Sequence, residues 1–237
     1  MGLTVPDKNL PDDHARRVRE MFARISPRYD FLNHLLSMNI DKRWRRVVTK
    51  KLRTILPDGA HLLDIACGTG DLSIELFDNA RAKVTGLDFC RPMLEIASRK
   101  APGIHFVEAD ALQLPFADGS FDALTIAFGL RNLSSVEVGL KEMRRILRPG
   151  GWAAILEFSN PVVPGFRAVF DLYMWRVLPR VGAWISGSRS AYEYLPKSVA
   201  RFANQNQLAA MMREAGFESV SFDNLTGGIA ALHIGRR

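Results

Sequence analysis

The stretch Leu62-Leu63-Asp64-Ile65-Ala66-Cys67-Gly68-Thr69-Gly70-Asp71 decides the fold. An apolar run of strand length, residues 61–66, enters a turn carrying two glycines, and a helical pattern at about 70–80 leaves it. Gly68 and Gly70 permit backbone conformations and close approaches that a Cβ blocks. Further strand-length apolar runs at 82–87, 104–108, 122–128 and 152–157 alternate with helical patterns at about 91–100 and 134–147. Repeated strand–helix units predict a mostly parallel sheet with helices on both faces. Two last strands, at about 218–224 and 228–234, are joined by Leu225-Thr226-Gly227-Gly228. That link is too short for a crossover helix, so the final pair must be antiparallel. The predicted class is α/β, a seven-stranded Rossmann-like sheet with extra N-terminal helices.

Local punctuation supports these boundaries. Ser134 and Glu137 have capping-box spacing, Val136, Leu140, Met143 and Leu147 form a stripe, and Arg148-Pro149-Gly150-Gly151 stops it. Asn204, with Gln207 three residues on, caps a helix closed by Gly216. Upstream, Val18, Met21, Phe22 and Ile25 predict a short amphipathic helix ended by Ser26-Pro27. A second helix, about Ile40–Leu56, gathers Trp44, Val47, Val48, Leu52 and Ile55 on one face. Lys42, Arg43, Arg45, Arg46, Lys50 and Arg53 lie opposite. The expected organisation is a basic helical cap over residues 1–57 and one sheet-based unit over 58–237.

Composition bounds the function classes. With 237 residues, 47% apolar and 24% charged, the chain buries a core without staples, which excludes disordered and disulfide-built proteins. Only Cys67 and Cys90 are present, favouring a reducing compartment. The longest stretch without Asp, Glu, Lys or Arg is Asn224–Gly235, too short for a membrane-spanning helix of about twenty residues. The N-terminus, with Asp7, Asp12 and Asp13, lacks the plan of a signal peptide, so a cytoplasmic location is expected. Residues 1–53 hold thirteen Lys/Arg against six Asp/Glu, whereas the remainder is balanced. A basic head on a neutral body suits an anionic membrane surface or nucleic acid, and an ordinary solvated face explains it as well.

A ligand over the glycine-rich turn lies at the carboxyl edge of the sheet, where open α/β folds bind small molecules. Carboxylates stand at useful offsets. Asp64 precedes the turn, Asp88 ends the second strand, and Asp110 follows the third. Asp88 can accept from both hydroxyls of a ribose, and Asp110 from an adenine amino group. Each acid alone also fits a helix N-cap. A dinucleotide fingerprint requires a third glycine where Ser73 stands, and Asp71 puts negative charge where pyrophosphate would need a free helix N-terminus. S-adenosylmethionine has ribose, adenine and cationic groups that Asp64 and Asp71 favour, and no phosphate.

The turn, the acidic strand ends, Arg148-Pro149-Gly150-Gly151 and the closing hairpin resemble class I S-adenosylmethionine-dependent methyltransferases. From about residue 14 the chain more narrowly resembles the bacterial C-methyltransferases of ubiquinone and menaquinone biosynthesis. The stretches that carry this likeness are Met21-Phe22-Ala23-Arg24-Ile25-Ser26-Pro27-Arg28-Tyr29-Asp30, Ala127-Phe128-Gly129-Leu130-Arg131-Asn132, Leu156-Glu157-Phe158-Ser159 and Ser190-Ala191-Tyr192-Glu193-Tyr194-Leu195-Pro196-Lys197-Ser198-Val199. The resemblance implies S-adenosylmethionine as cofactor, with contacts at Thr69, Asp88, Asp110 and Ala111 beside Asp64, Gly68 and Gly70. Ala127 replaces a serine common in the family, at a loss of roughly 0.5–1.5 kcal/mol for one hydrogen bond.

The implied acceptor is a polyprenyl quinol, methylated on a ring carbon. Such a carbon becomes nucleophilic when a neighbouring hydroxyl is deprotonated, so the enzyme must stabilise a phenolate. Arg131 is the first candidate for that role and Asn132 for orienting the oxygen. Pairing of Arg131 with a carboxylate, merely to fix the loop, is the alternative. Tyr29 and Asp30 are expected to close over the pocket with Asp30 as a candidate base, and Phe128, Tyr192 and Tyr194 to contact substrate. Helix capping explains Asp30 equally well. His, Cys and carboxylates show no metal-ligand spacing, so no metal is expected, and His233 reads as packing. The aromatic segment 164–185 reads as a tail groove or as ordinary packing. The expected partners are the quinol and a peripheral membrane surface, with no nucleic acid and a homodimer left open.

Two rivals remain at this stage. An RNA or DNA methyltransferase is prompted by the cationic head, but Phe128-Gly129-Leu130-Arg131 replaces the Asn/Asp-Pro-Pro-aromatic pattern of exocyclic-amine enzymes, and neither cysteine follows proline. A non-catalytic quinone- or lipid-binding scaffold is opposed by Gly68, Gly70, Asp88 and Arg131.

Overall fold

The computed structural model describes residues 13–177 and 189–237, without the side chains of 169, 177 and 189–193. Three N-terminal helices, α1 (Asp13–Ile25), α2 (Tyr29–Leu36) and α3 (Ile40–Ile55), precede the sheet. Then follow β1 (His61–Ile65), α4 (Asp71–Asn79), β2 (Lys83–Asp88), α5 (Arg91–Lys100), β3 (His105–Glu108), β4 (Phe121–Ala127), α6 (Val136–Ile146) and β5 (Leu147–Phe158). The chain continues through α7 (Phe166–Leu172), a π-helical turn (Tyr173–Val177), α8 (Arg189–Arg201), α9 (Gln205–Glu214), β6 (Glu218–Leu225) and β7 (Ala230–Arg236). The sheet order is β3-β2-β1-β4-β5-β7-β6. Strands β1 to β5 pair in parallel, and β7 lies antiparallel between β5 and β6, as the short link requires.

Strand alternation divides the core between two faces. Leu63, Ile65, Leu124 and Ile126 point to the side covered by α6 and α9 with Leu140, Met143, Leu208 and Met212. Leu62, Ala123, Ala154 and Leu156 point to the other side, under Trp44, Val48 and Leu52 of α3 and Leu72 and Leu76 of α4. Each fully buried leucine contributes about 1.5–3 kcal/mol. A third cluster, Ile25, Leu32 and Met174, joins α1 and α2 to the segment after β5.

Two boundaries differ from the sequence reading. The cap of α6 is Ser135, whose Oγ accepts from the Val138 amide at 3.3 Å and donates to Glu137 at 3.2 Å; Ser134 is left to line a crevice. Strand β5 starts at Leu147, the last residue of the expected helical stripe, and runs through the expected stop, because Leu147 already pairs with Phe121. The register shifts before Ala123 meets Trp152, and Gly150 turns through a φ of 79°.

Candidate active site

The turn after β1 is held from three sides. Gly70 has a φ of 85°, a conformation that favours glycine, and a Cβ on it would lie 3.1 Å from that of Ala97, so helix α5 packs closely against the turn. The Gly68 amide donates to Asp88 Oδ2 and the Cys90 amide to Asp88 Oδ1, both at 2.8 Å. These bonds aim the carboxylate at the end of β2 and couple it to the turn. Desolvation nonetheless pushes the Asp88 carboxyl above its ordinary range.

A crevice opens beside Asp88. Asp110 and Ala111 line it with Gly68, Phe89 and Met93. Asp110 is exposed, and its Oδ1 accepts from the Leu112 amide. Not one lysine or arginine is among the lining residues. An acid placed for a ribose, another for an exocyclic amine and apolar walls fit an adenosine; Arg19, stacked 5.3 Å over Phe89, is the cation beside the crevice among the described residues. The crevice is narrow, about 80 Å³, because α1 lays Ala15 and Phe22 across it.

A second cavity, of about 390 Å³, opens on the other side of the turn. Its aromatic wall is Trp44, Phe128 and Phe158, with ring centroids 4.6–6.2 Å apart. Phe166, Phe170, Tyr173 and Leu195 extend it, so three aromatics of the expected tail-groove segment line a cavity, whereas Trp175 is exposed outside the lining and Trp184 lies outside the described residues. The two cavities share Tyr29, Ala66, Gly68, Ala127 and Phe128. Ala66 and Phe128, the residues just after β1 and β4, have φ of 51° and 57°. A left-handed phenylalanine costs roughly 1–3 kcal/mol, which the surrounding contacts must offset.

What holds Phe128 there is the group that sequence singled out for chemistry. The Phe128 carbonyl accepts from Arg131 Nη1 and, at 3.3 Å, from Asn132 Nδ2. Tyr194 in turn donates to Asn132 Oδ1 at 3.0 Å. Arg131 Nη1 also lies 2.8 Å from Glu157 Oε1, in a pair 7% and 1% exposed, and its guanidinium stacks over Phe158. The carboxylate pairing foreseen for Arg131 is therefore present. Its Nε remains buried without a hydrogen-bond partner, and Arg131 lines the second cavity. Glu157 was missed by sequence reasoning, although an acid at the end of an apolar strand is itself a signal.

Other expected site residues are brought together differently. Asp64 is buried and accepts from the Ser73 and Thr125 hydroxyls; desolvation raises its carboxyl to about 6. Thr69, buried, donates to Asp30, whose other oxygen takes Lys100 at 2.9 Å. Thr69 lines the second cavity, not the crevice. Lys100 reaches on to Asp71 at 2.5 Å, and Arg45 bridges Asp71 and Asp41 at 3.0 and 2.6 Å. Hence Asp71 is met by two cations. His34, Asp41 and Asp71 could hold a metal ion by spacing, but Arg45 Nη2 already bonds both carboxylates.

Desolvation raises the Tyr29 and Tyr194 phenols, so both stay protonated donors, and lifts Cys67 well above the ordinary thiol range, which removes it as a nucleophile. Tyr194 lies along the Asn132 network and lines neither cavity, whereas the Tyr192 side chain lies outside the described residues. His233 is buried, its Nε2 2.8 Å from the Gln205 carbonyl. No helix among the described residues is long and apolar enough to cross a membrane.

Comparison with known proteins agrees with this geometry. A family described as the ubiE/COQ5 methyltransferase family matches residues 11–237. The demethylmenaquinone methyltransferase of Thermus thermophilus is 50% identical over 222 residues, 92% of this chain and 100% of that protein. The ubiquinone/menaquinone biosynthesis C-methyltransferase UbiE of Geotalea uraniireducens is 42% identical over 95% of this chain and 98% of its own. Among solved structures, the [4+2]-cyclase SpnF superposes with a TM-score of 0.71 at 19% identity, covering 96% of this chain and 98% of that one. A S-adenosylmethionine-dependent methyltransferase from Thermotoga maritima gives 0.63 at 21%, covering 92% and 98%. The last two share the fold; the first two share sequence along nearly their whole length. Identity of that order makes the assignment: the chain belongs to the ubiE/COQ5 methyltransferase family and is an S-adenosylmethionine-dependent methyltransferase.

Proposed function

We propose that this enzyme methylates a ring carbon of a polyprenylated quinol, demethylmenaquinol or the benzoquinol intermediate of ubiquinone synthesis, at a membrane surface. The observation that carries the reading is the common wall of the two cavities: an apolar cavity meets the narrow crevice beside Asp88 and Asp110 at Tyr29, Ala66, Gly68, Ala127 and Phe128. The names of the relatives supply the quinone chemistry.

S-adenosylmethionine brings an electrophilic methyl group on a sulfonium. Asp88 takes the ribose diol, Asp110 and Ala111 the adenine end, and Gly68 the close approach at the turn. In the larger cavity the quinol ring lies against Trp44, Phe128 and Phe158, with the tail along Phe166 and Phe170. A bond would form between ring carbon and methyl carbon as the carbon–sulfur bond breaks, and the ring carbon's own proton would then pass to water, restoring the aromatic phenolate, which is reprotonated from water. Arg131 stabilises the phenolate with the guanidinium donors that Glu157 and the Phe128 carbonyl do not engage, the ion pair holding the group in place at the cavity wall. Asn132, with Tyr194 behind it, fixes Phe128 and the oxygen's place. The quinol hydroxyl passes its proton to Thr69, whose own proton moves to Asp30, a carboxylate 30% exposed and able to release it to water.

The test is to incubate the purified enzyme with labelled S-adenosylmethionine and short-tail quinols of both ring types, then locate the label. Label on ring carbon is expected; label on oxygen, or none, refutes the assignment. Thr69→Val, which keeps shape and removes the hydroxyl, should lower kcat about a hundredfold with Thr69→Ser near normal. Equal activity in both variants would remove Thr69 from the proton path.

A further inference from the structure

Nine large apolar side chains stand exposed among the described residues, and seven of them belong to two stretches. Phe31, Leu35 and Met38 lie on and just beyond α2; Val162, Val163, Leu172 and Trp175 lie around α7. Phe31 is 61% exposed, Met38 72% and Trp175 50%. Single exposed apolar residues are ordinary, but a contiguous set calls for a partner. The two stretches are neighbours: their inward residues Leu32, Leu36, Phe170 and Met174 pack together, and the Tyr173 hydroxyl donates to the Leu36 carbonyl. Leu36, Met38, Phe166 and Phe170 line the apolar cavity of the active site. The exposed residues therefore border its mouth.

Charge accompanies this rim. Exposed Arg28 precedes Phe31, exposed Lys42 and Arg43 follow Met38 within about one helical turn, and Arg167 and Arg176 flank Leu172 and Trp175. The acids beside them are paired with cations: Asp171 lies 3.8 Å from Arg167, Asp30 2.9 Å from Lys100 and Asp41 2.6 Å from Arg45. Apolar side chains interleaved with cations match a bilayer interface, where the former enter the acyl boundary and the latter meet anionic headgroups. Pairing of the face with a second copy of itself would bring these cations together, which disfavours a dimer there.

We infer that the rim formed by Phe31, Leu35, Met38, Leu172 and Trp175 docks on an anionic lipid bilayer, with the mouth of the apolar cavity against the hydrocarbon. A polyprenyl tail then moves between membrane and cavity without crossing water. This rests on the quinol reading above and adds to it which face meets the membrane.

The experiment is flotation of the full chain with phosphatidylcholine vesicles, with and without phosphatidylglycerol, together with turnover assays. Binding to the anionic vesicles, weakened by added salt, is expected. Phe31→Ser with Leu35→Ser, both exposed and outside the cavity lining, should lower partitioning about tenfold or more. Lys42→Gln with Arg43→Gln should do so by a similar factor without touching the apolar rim. Both variants should melt like the parent and turn over a tailless quinol at the parent rate, while losing activity on long-tail quinol held in vesicles. Absence of wild-type binding, or unaltered binding by both variants, overturns the docking face. A concentration-dependent doubling of mass abolished by the Phe31/Leu35 variant also overturns it, giving the face to a second copy. Vesicle binding that behaves as expected, with no quinol methylated, would uphold the docking face and refute the quinol reading alone.

Discussion

Replacing Arg131 by methionine should separate its structural from its chemical contribution. Glu157 is 1% exposed and keeps, after the substitution, only the Phe158 amide at 2.8 Å and the residue 131 amide at 3.3 Å. An ionised carboxylate left so buried costs about 3–5 kcal/mol. For a chain of this length that corresponds to a fall in Tm of about 6–20 °C. The double variant Arg131→Met with Glu157→Gln removes both charges, and a coupling of about 2–3 kcal/mol should be regained. Thermal and urea unfolding report these energies; titration calorimetry reports S-adenosylmethionine affinity, which should hold in the double variant. Turnover should fall about 10²–10³-fold in the single and double variants alike, since the guanidinium is absent from both. A double variant with restored stability and restored turnover would refute the phenolate role and leave Arg131 as a support for Phe128. A single variant as stable as the parent would refute the buried pair.

Further expectations concern the donor side. Asp88→Asn puts an amide donor against one of two backbone amides and should weaken S-adenosylmethionine binding about 10- to 100-fold by calorimetry; unchanged affinity would dislodge Asp88 from the ribose. Because the folded Asp64 carboxyl titrates at about 6 rather than at its ordinary 3.8, its contribution to stability is greatest below about pH 4 and is lost as pH rises through 6, by about 3 kcal/mol. Asp64→Asn keeps partners for Ser73 and Thr125 and should flatten that part of the stability profile in urea melts; an identical slope would contradict the desolvated carboxyl. At about 80 Å³ the crevice is below the usual 300–1,000 Å³ of ligand pockets, so α1 must shift to admit the donor, and amide exchange over residues 13–25 should change when S-adenosylhomocysteine is added. Invariant exchange would place the donor elsewhere. Gly129→Ala sets a Cβ 2.5 Å from that of Ala66 and should cost about 1–3 kcal/mol while impairing turnover, both measurable on the purified variant.

The parts of this site that sequence made legible are those governed by nearest neighbours along the chain. The bend at Gly68 and Gly70, the acid ending β2, and the Asn204–Gln207 capping box all depend on residues a few positions apart, and each appears where expected. Even there, adjacent serines were indistinguishable, and the cap fell to Ser135 rather than Ser134. What stayed hidden depends on contacts across the fold. Arg131 meets Glu157 only because β4 and β5 are adjacent and end together. Lys100 joins Asp30 across seventy positions, and Trp44 donates to Thr226 across 182. No periodicity encodes such encounters, so the larger cavity, assembled from α2, α3, α7, α8 and the β6–β7 link, had no local signature beyond its aromatic residues.

The origin of that cavity's walls has a consequence for how the enzyme can be altered. Ala66, Ala127 and Phe128 come from the ends of sheet strands, but Leu36 and Met38 come from the helical stretch before β1, and Phe166, Phe170 and Tyr173 from the one inserted between β5 and β6. The machinery for gripping the nucleoside and the upholstery that greets its reaction partner are thus inherited from separate stretches of polypeptide. Exchanging the upholstery would redirect the enzyme to another greasy acceptor while the grip stayed as it is.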